Sequence, residues 1–393
     1  MGIKPNALRR LCFIWIRLRR NMGNYNIRII GSIYFLYCIF LYFLYTHLGF
    51  IYANEGAKYM DLVQSLNGIT WSEYWSIYKL YFGYILYLKF GLQLFSNKAF
   101  FIFIQILLNF VGGYLILQIV RQHRWPLVVG YSSLVLFFFC YPLQYWTLTL
   151  YTETSFVFLT LLLYYLGINL NKKNGLVFIF LSIFMIFWRP QGLHFILLLG
   201  AYLLHYFHII GYNFFLKVCI VILIGLGVTT MLVKVDSLFY FAQFFNYEPF
   251  VQTKPYLHSD MEVKDNLLHA YRIMIEEIGW TRAIELQIKK IFWFFNMTRP
   301  CYSLKSNVLL FLNSIVYFGL GLVSLFAKPN LNTNKSFLSF IFFWAASCLV
   351  NVFLSYNDWH NRYNIIFIPF LCMAIGHFIY FFWLSRFHKL KIR

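Results

Sequence analysis

Acidic residues are scarce in this chain: 13 of its 393 residues are Asp or Glu, against 33 Lys and Arg. Charge of either sign is thin, at 12% of residues, whereas 61% are hydrophobic and 23% aromatic. So much apolar surface exceeds what a soluble domain of this length buries, and lipid must serve as part of its solvent. Cysteine chemistry is missing as well. Cys12, Cys38, Cys140, Cys219, Cys301, Cys348 and Cys372 are scattered, none forms a CxxC pair, and most lie in apolar runs where Cys acts as a small hydrophobe. The chain has no P-loop, no Gly-rich dinucleotide fingerprint, no His/Cys set at metal spacing and no GxSxG, so nucleotide-driven chemistry on the cytoplasmic side has no support.

What is abundant is basic charge, with a net of +20. In a soluble protein that would suggest nucleic acid; in a membrane protein it collects in cytoplasmic loops, and no nucleic-acid partner is expected. Residues 1–28 carry Lys4, Arg9, Arg10, Arg17, Arg19, Arg20 and Arg28 and no acid, which sets the N-terminus in the cytoplasm. The first apolar stretch, 29–50, has no small-residue cleavage site and reads as an uncleaved anchor. The next stretch, 80–96, is ambiguous because Lys79, Lys89 and Lys98 lie in and around it.

Parity decides its place. With 80–96 in the outer interface, further spans fall near 99–120, 126–148, 152–170, 175–188, 191–212, 214–233, 304–327, 336–355 and 364–384. The cytoplasmic connections then carry Arg121 and Arg124, Lys172 and Lys173, Lys217, Lys328 and Lys335, and the tail Arg386, Lys389, Lys391 and Arg393. Every acid falls outside or at the outer end of a span. If 80–96 crossed instead, all later loops would invert. The expected fold is an all-α polytopic membrane protein with about ten transmembrane helices and cytoplasmic termini. It is one domain over 1–393, with a first outer loop at 51–98 and a second large one at 234–303.

Within the second loop, Leu267, Leu268, Tyr271, Met274, Ile275 and Ile278 have helical spacing, and after Gly279 the pattern resumes at Ile284, Ile288, Ile291, Phe292 and Phe295. These read as two amphipathic helices lying on the outer face of the membrane. Interfacial helices are expected in the first loop too.

The ionisable residues that are not cytoplasmic converge on the outer boundary, where charged groups are costly and mark a site or a polar cavity. In IYANEGAKYMD, Glu55 follows the first span directly, with Lys58 available as a helical ion-pair partner, and Asp61 lies six residues on, turned away from it by a helix. Glu55 is the stronger candidate and Asp61 the more structural one. Glu153, in LTLYTETSF, needs a cation at that depth, for which Arg189 in FWRPQGL is available. Arg189 and Arg362 fit phosphate binding and snorkelling to headgroups equally well. His360, in NDWHNRY, and His194 fit a hydrogen-bonded aromatic role better than a catalytic one.

These residues, in this order, resemble the GT-C superfamily of integral-membrane glycosyltransferases, which includes protein O-mannosyltransferases, lipid A aminoarabinose transferases and GPI mannosyltransferases. NEGAKY is similar to the acidic first-loop motif, with Asn54 where the first Asp often stands, then Glu55 and Tyr59, followed by Leu66 and Gly68. YTETSF resembles a Tyr-x-Glu motif and carries Glu153; RYNIIFIPFL resembles the Arg-Tyr that precedes the last span and carries Arg362, Tyr363 and Pro369. The resemblance implies inverting transfer of a sugar from a polyprenyl-phosphate donor to a lipid or glycan acceptor on the extracytoplasmic face, with a bacterial inner membrane as the setting. Glu55, or less so Asp61, would be the catalytic base. Tyr59, Glu153, Arg362 and Tyr363, joined by Arg189 and His360, would bind donor phosphate and substrate. No metal and no cofactor is expected. A polysaccharide polymerase of the O-antigen type and a lipid-linked glycan flippase stay open as alternatives; nearly uncharged span centres and the lack of an internal repeat argue against transport.

Overall fold

The structure, a computed structural model, describes residues 26–52, 59–61, 63–64, 81–95, 97–189, 191–232, 267–298, 302–326, 332–354 and 362–391. In chain order the helices are α1 (Ile27–Leu48), α2 (Phe82–Phe95), α3 (Ala99–Gln122), α4 (Leu127–Phe138), α5 (Tyr141–Thr147), α6 (Glu153–Ile168), α7 (Gly175–Ile186) and α8 (Gln191–Tyr206). They continue with α9 (Tyr212–Leu232), α10 (Leu267–Phe295), α11 (Leu304–Ser314), α12 (Leu320–Phe326), α13 (Asn332–Leu354), α14 (Arg362–Ile365) and α15 (Ile368–Lys391). A π-helical turn, Ile315–Gly319, joins α11 to α12. Among the described residues there is no β-strand, only an isolated parallel bridge between Ile51 and Thr149.

Three helical stretches among the described residues, Ile27–Leu48, Ala99–Gln122 and Leu304–Ser324, are long and apolar enough to cross a membrane. That marks the chain as a membrane protein. The other apolar helices are shorter, and the pair α4–α5 would make a further span bent by 59°. Several helices carry exposed apolar faces: Phe35, Leu36 and Tyr42 on α1, Leu176 and Phe180 on α7, and Val221 and Ile224 on α9 are all exposed. Lipid is the solvent that suits them.

The sequence predicts one unbroken span over 126–148, but the structure breaks it at Phe139–Cys140. Pro142, early in α5, has no N–H, and its ring would meet the Phe138 carbonyl if the helix ran on. Irregular backbone at membrane depth persists only where protein satisfies the freed polar groups. Here amide side chains do so. Gln144 Nε2 donates to the Phe137 carbonyl at 3.1 Å. Gln105 Nε2, from α3, donates to the carbonyls of Trp146 at 3.1 Å and Thr149 at 2.8 Å. Asn109 Nδ2 donates to Gln144 Oε1 and Tyr37 Oη, both at 2.6 Å, and Tyr37 Oη donates to Gln144 Oε1 at 2.8 Å. The network ties α1, α3 and α5 together and fixes the turn 148–152 that leads into α6.

Small residues allow close helix approach elsewhere in the bundle. A Cβ at Gly376 on α15 would lie 2.7 Å from Ser133 Oγ and 2.9 Å from the Val129 carbonyl on α4. In α10 the expected break at Gly279 is present, with φ 78° and ψ 158°, a conformation that glycine adopts without strain. Phe294 and Phe295, at the end of α10, pack on Phe367 and Phe318.

Candidate functional site

Glu153 is the first residue of α6, where the unpaired N–H groups of a helix start favour an acid. Its side chain is fully buried, and Arg189 Nη1 lies 2.8 Å from its Oε1; the Arg189 side chain is 3% exposed. Thr152 Oγ1 lies 3.3 Å from the second carboxylate oxygen. Arg189 Cζ is 5.8 Å from the centroid of the Phe156 ring, one turn along α6. The ion pair that the sequence pointed to is therefore formed, and it is dry. A charge pair taken out of water holds only with good geometry and further hydrogen bonds.

The α7–α8 turn aims the guanidinium. Trp188 Nε1 donates to Ser155 Oγ on α6 at 3.1 Å, and the Gly192 N–H donates to the Arg189 carbonyl at 2.8 Å. At Gly192 a Cβ would stand 2.1 Å from the Met185 carbonyl oxygen, on backbone that cannot swing aside. Gly192→Ala is expected to force this turn open and destabilise the protein by about 1–3 kcal/mol. Thermal unfolding in detergent checks it: a melting temperature equal to that of the unsubstituted protein would show that the turn tolerates the methyl group.

On the other flank, α2 docks onto the same turn through the Gly83 N–H, which donates to the Phe187 carbonyl at 2.9 Å. The ring of Tyr84 meets Trp188 edge-on, centroids 5.3 Å apart, and that of Tyr87 lies 5.6 Å from it. Both tyrosines are largely or wholly buried, and neither hydroxyl has a hydrogen-bond partner among the described residues. Burial first, then Tyr87 and the Glu153 carboxylate, raise the Tyr84 phenol well above its ordinary pKa. It stays protonated, a donor held in the field of a carboxylate. Gln191 is also buried, and its Oε1 has no partner among the described residues.

The first loop meets this site from both sides of its acidic stretch. Before it, the Ile51 N–H donates to the Leu148 carbonyl at 3.0 Å and the Leu150 N–H to the Ile51 carbonyl at 2.9 Å. After it, the buried Tyr59 ring packs against Tyr84 at 5.2 Å, and against Tyr81 and Tyr151 at 5.6 Å. Asn54 and Glu55 themselves lie outside the described residues. Asp61 is described and exposed, one short step beyond the buried Tyr59 and Met60.

Asp358 and His360 also lie outside the described residues, and so do the side chains of Arg362 and Tyr363. The backbone of Arg362 and Tyr363 opens α14, which packs against α6, α10 and α13. The Arg-Tyr segment thus returns to the helix that carries Glu153. His194 Nδ1 lies 3.4 Å from Ser347 Oγ inside the bundle, the hydrogen-bonded role expected of it. Among the described residues no group of three His, Cys, Asp or Glu is placed to hold a metal ion.

Sequence reasoning missed Tyr84 and Gln191. Tyr84 sits in an aromatic-rich run where one tyrosine looks like another, and Gln191 is a single amide after a proline.

Together the site offers an acid neutralised by arginine, a protonated phenol, an amide oxygen and aromatic walls. Few polar groups converging in an apolar, aromatic setting is the usual make-up of a small-ligand site. No protein-family model, no curated protein and no solved structure matches the chain.

Proposed function

We propose that the protein is an integral-membrane glycosyltransferase that moves a sugar from a polyprenyl-phosphate carrier to a lipid or glycan acceptor at the outer face of the membrane. The observation that carries this reading is the dry Glu153–Arg189 pair, set where the first outer loop is hydrogen-bonded to the turn before α6. The positive-inside pattern puts that turn on the outer side of about ten spans, with both termini cytoplasmic and the short α2 in the outer interface.

A carrier that cannot leave the lipid presents its phosphate at the outer boundary. In this scheme Glu55 takes the proton of the acceptor hydroxyl as its oxygen attacks the anomeric carbon. The bond from that carbon to the phosphate oxygen breaks, and polyprenyl phosphate departs with the electron pair, leaving the sugar inverted. Arg362 stabilises the charge that builds on the phosphate. Arg189, ion-paired through Nη1 with Glu153, acts as a positioning residue. Tyr59 and Tyr84 line the sugar side. The scheme uses no metal and no cofactor.

Purified protein in nanodiscs, supplied with radiolabelled undecaprenyl-phosphate sugars and total lipid and glycan extract from the source cells, should release undecaprenyl phosphate from one donor and label an acceptor. If every donor stays intact under conditions where the protein remains folded, the reading is wrong.

A further inference from the structure

Tyr84 and Tyr87 stand three residues apart on α2, with ring centroids separated by 6.0 Å. At about 100° per residue they lie roughly 60° apart around the helix, so both face one neighbour. That neighbour is Trp188, whose ring lies 5.3 Å from that of Tyr84 and 5.6 Å from that of Tyr87. Trp188 is held by its hydrogen bond to Ser155, and α2 is held to the same turn by the bond from the Gly83 N–H to the Phe187 carbonyl. The three rings are therefore fixed relative to one another and to the Glu153–Arg189 pair beside them.

A buried tyrosine hydroxyl normally finds a hydrogen-bond partner, because leaving it without one costs free energy. Three others in the bundle follow the rule: Tyr37 donates to Gln144, Tyr164 to Tyr202 and Tyr317 to the Leu136 carbonyl. Tyr84 and Tyr87 break it together. Both hydroxyl oxygens are buried, and neither has a partner among the described residues. Burial, the main cause in each case, raises both phenols above their ordinary pKa, so each keeps a proton to donate. Two unused donors thus lie side by side on one wall of the site.

The surroundings narrow what these donors can serve. The Glu153 carboxylate is close enough to Tyr84 to raise its phenol further, and it already has its counter-charge in Arg189. A second anion beside it would be repelled, so a neutral hydroxyl or ether oxygen suits the pair better than a phosphate. The other walls are aromatic, with Tyr59 packed on Tyr84 at 5.2 Å and Phe101 on Tyr87 at 5.4 Å. Neutral oxygens on a ring with apolar C–H faces are what a sugar presents. The lipid is close as well. Phe90 and Leu94 fall within about 60° of Tyr87 around α2, and they are 60% and 75% exposed. The tyrosine pair sits where a buried aromatic wall passes into an exposed apolar edge, the border at which a sugar tethered to a membrane lipid arrives.

We infer that the Tyr84 and Tyr87 hydroxyls select the sugar of the polyprenyl-phosphate donor, each donating to one of its neutral oxygens. The inference rests on the proposed function and deepens it: Tyr84 is more than a wall, and Tyr87 joins it as a specificity-determining residue. Since neither hydroxyl has a partner among the described residues, phenylalanine at either position keeps the ring packing and takes nothing from the fold. What it removes is the hydrogen bond to the sugar.

The test compares binding of undecaprenyl phosphate with that of its glucose, mannose and aminoarabinose conjugates to the full-length protein in nanodiscs of zwitterionic lipid, read by native mass spectrometry. Wild type should bind one conjugate about 10- to 100-fold more tightly than the bare carrier, the worth of two hydrogen bonds. Tyr84→Phe and Tyr87→Phe should each lower that preference by about 3- to 10-fold, and the double variant should bind conjugate and carrier alike. Melting temperatures of the variants should equal or exceed that of wild type. A lowered melting temperature would show that the hydroxyls already have partners and overturns the inference. A double variant that keeps the wild-type preference overturns it too, and either result leaves the glycosyltransferase reading standing. If the substitutions weaken binding of methyl glucoside or methyl mannoside and leave the lipid preference unchanged, the pair holds an acceptor sugar, against the donor inferred here. A wild-type protein that prefers no conjugate to the carrier overturns the inference, and one that does not prefer the carrier to phosphatidylglycerol overturns the glycosyltransferase reading as well.

Discussion

Replacing Arg189 with methionine is expected to destabilise the protein by about 3–5 kcal/mol, because it strands the Glu153 carboxylate without its counter-charge in a fully buried position. The loss comes from the abandoned acid more than from the missing attraction. It follows that the double substitution Glu153→Leu with Arg189→Met should recover most of the stability, since exchanging both partners of a buried pair for apolar groups is often neutral or better. Thermal unfolding in detergent, run on the two variants and the parent, gives the comparison. A single variant as stable as the parent would mean that water reaches the carboxylate. On the proposed function, the double variant should fold and yet transfer no sugar, which separates the pair's role in the site from its role in the fold.

On the proposed function, Glu55→Gln is expected to lower transfer by about 10²- to 10⁴-fold, the usual contribution of a general base. Stability and donor binding should be unchanged, since the amide keeps the shape of the side chain. Single-turnover assays with excess protein isolate the chemical step, and a melting curve confirms the fold. Glu55→Asp should retain part of the rate. Full activity in Glu55→Gln would remove this residue from the mechanism and turn attention to Asp61, although its exposure beyond the buried Tyr59 suits a solvated carboxylate better.

The fold was legible where long apolar runs set it. Helices lie within or across each stretch that composition had marked, from Ile27–Leu48 to Ile368–Lys391, and Gly279 breaks α10 where the apolar pattern paused. What composition did not reveal was how a run is used. The 126–148 stretch is apolar enough to be one span, and only Pro142 hinted at the break; that Gln105, Asn109 and Gln144 would repair it depends on three segments meeting in space.

The site was legible through scarcity. Glu153 and Arg189 stood out because ionised groups are rare and costly in such a setting, and the two do meet. Tyr84 could not be found that way among 31 tyrosines.

The dry ion pair also constrains how the chain is made. Glu153 and Arg189 are 36 residues apart, and a ribosome adds roughly 5–20 residues per second, so the carboxylate is synthesised about 2 to 7 s before its partner. During that interval α6 carries an uncompensated charge at its leading turn and has no favourable resting place within the acyl chains. On the expected topology, in which both helices cross the bilayer, pairing with the Trp188–Arg189 turn is what neutralises the start of α6, so α6 and α7 insert most favourably as one helical hairpin.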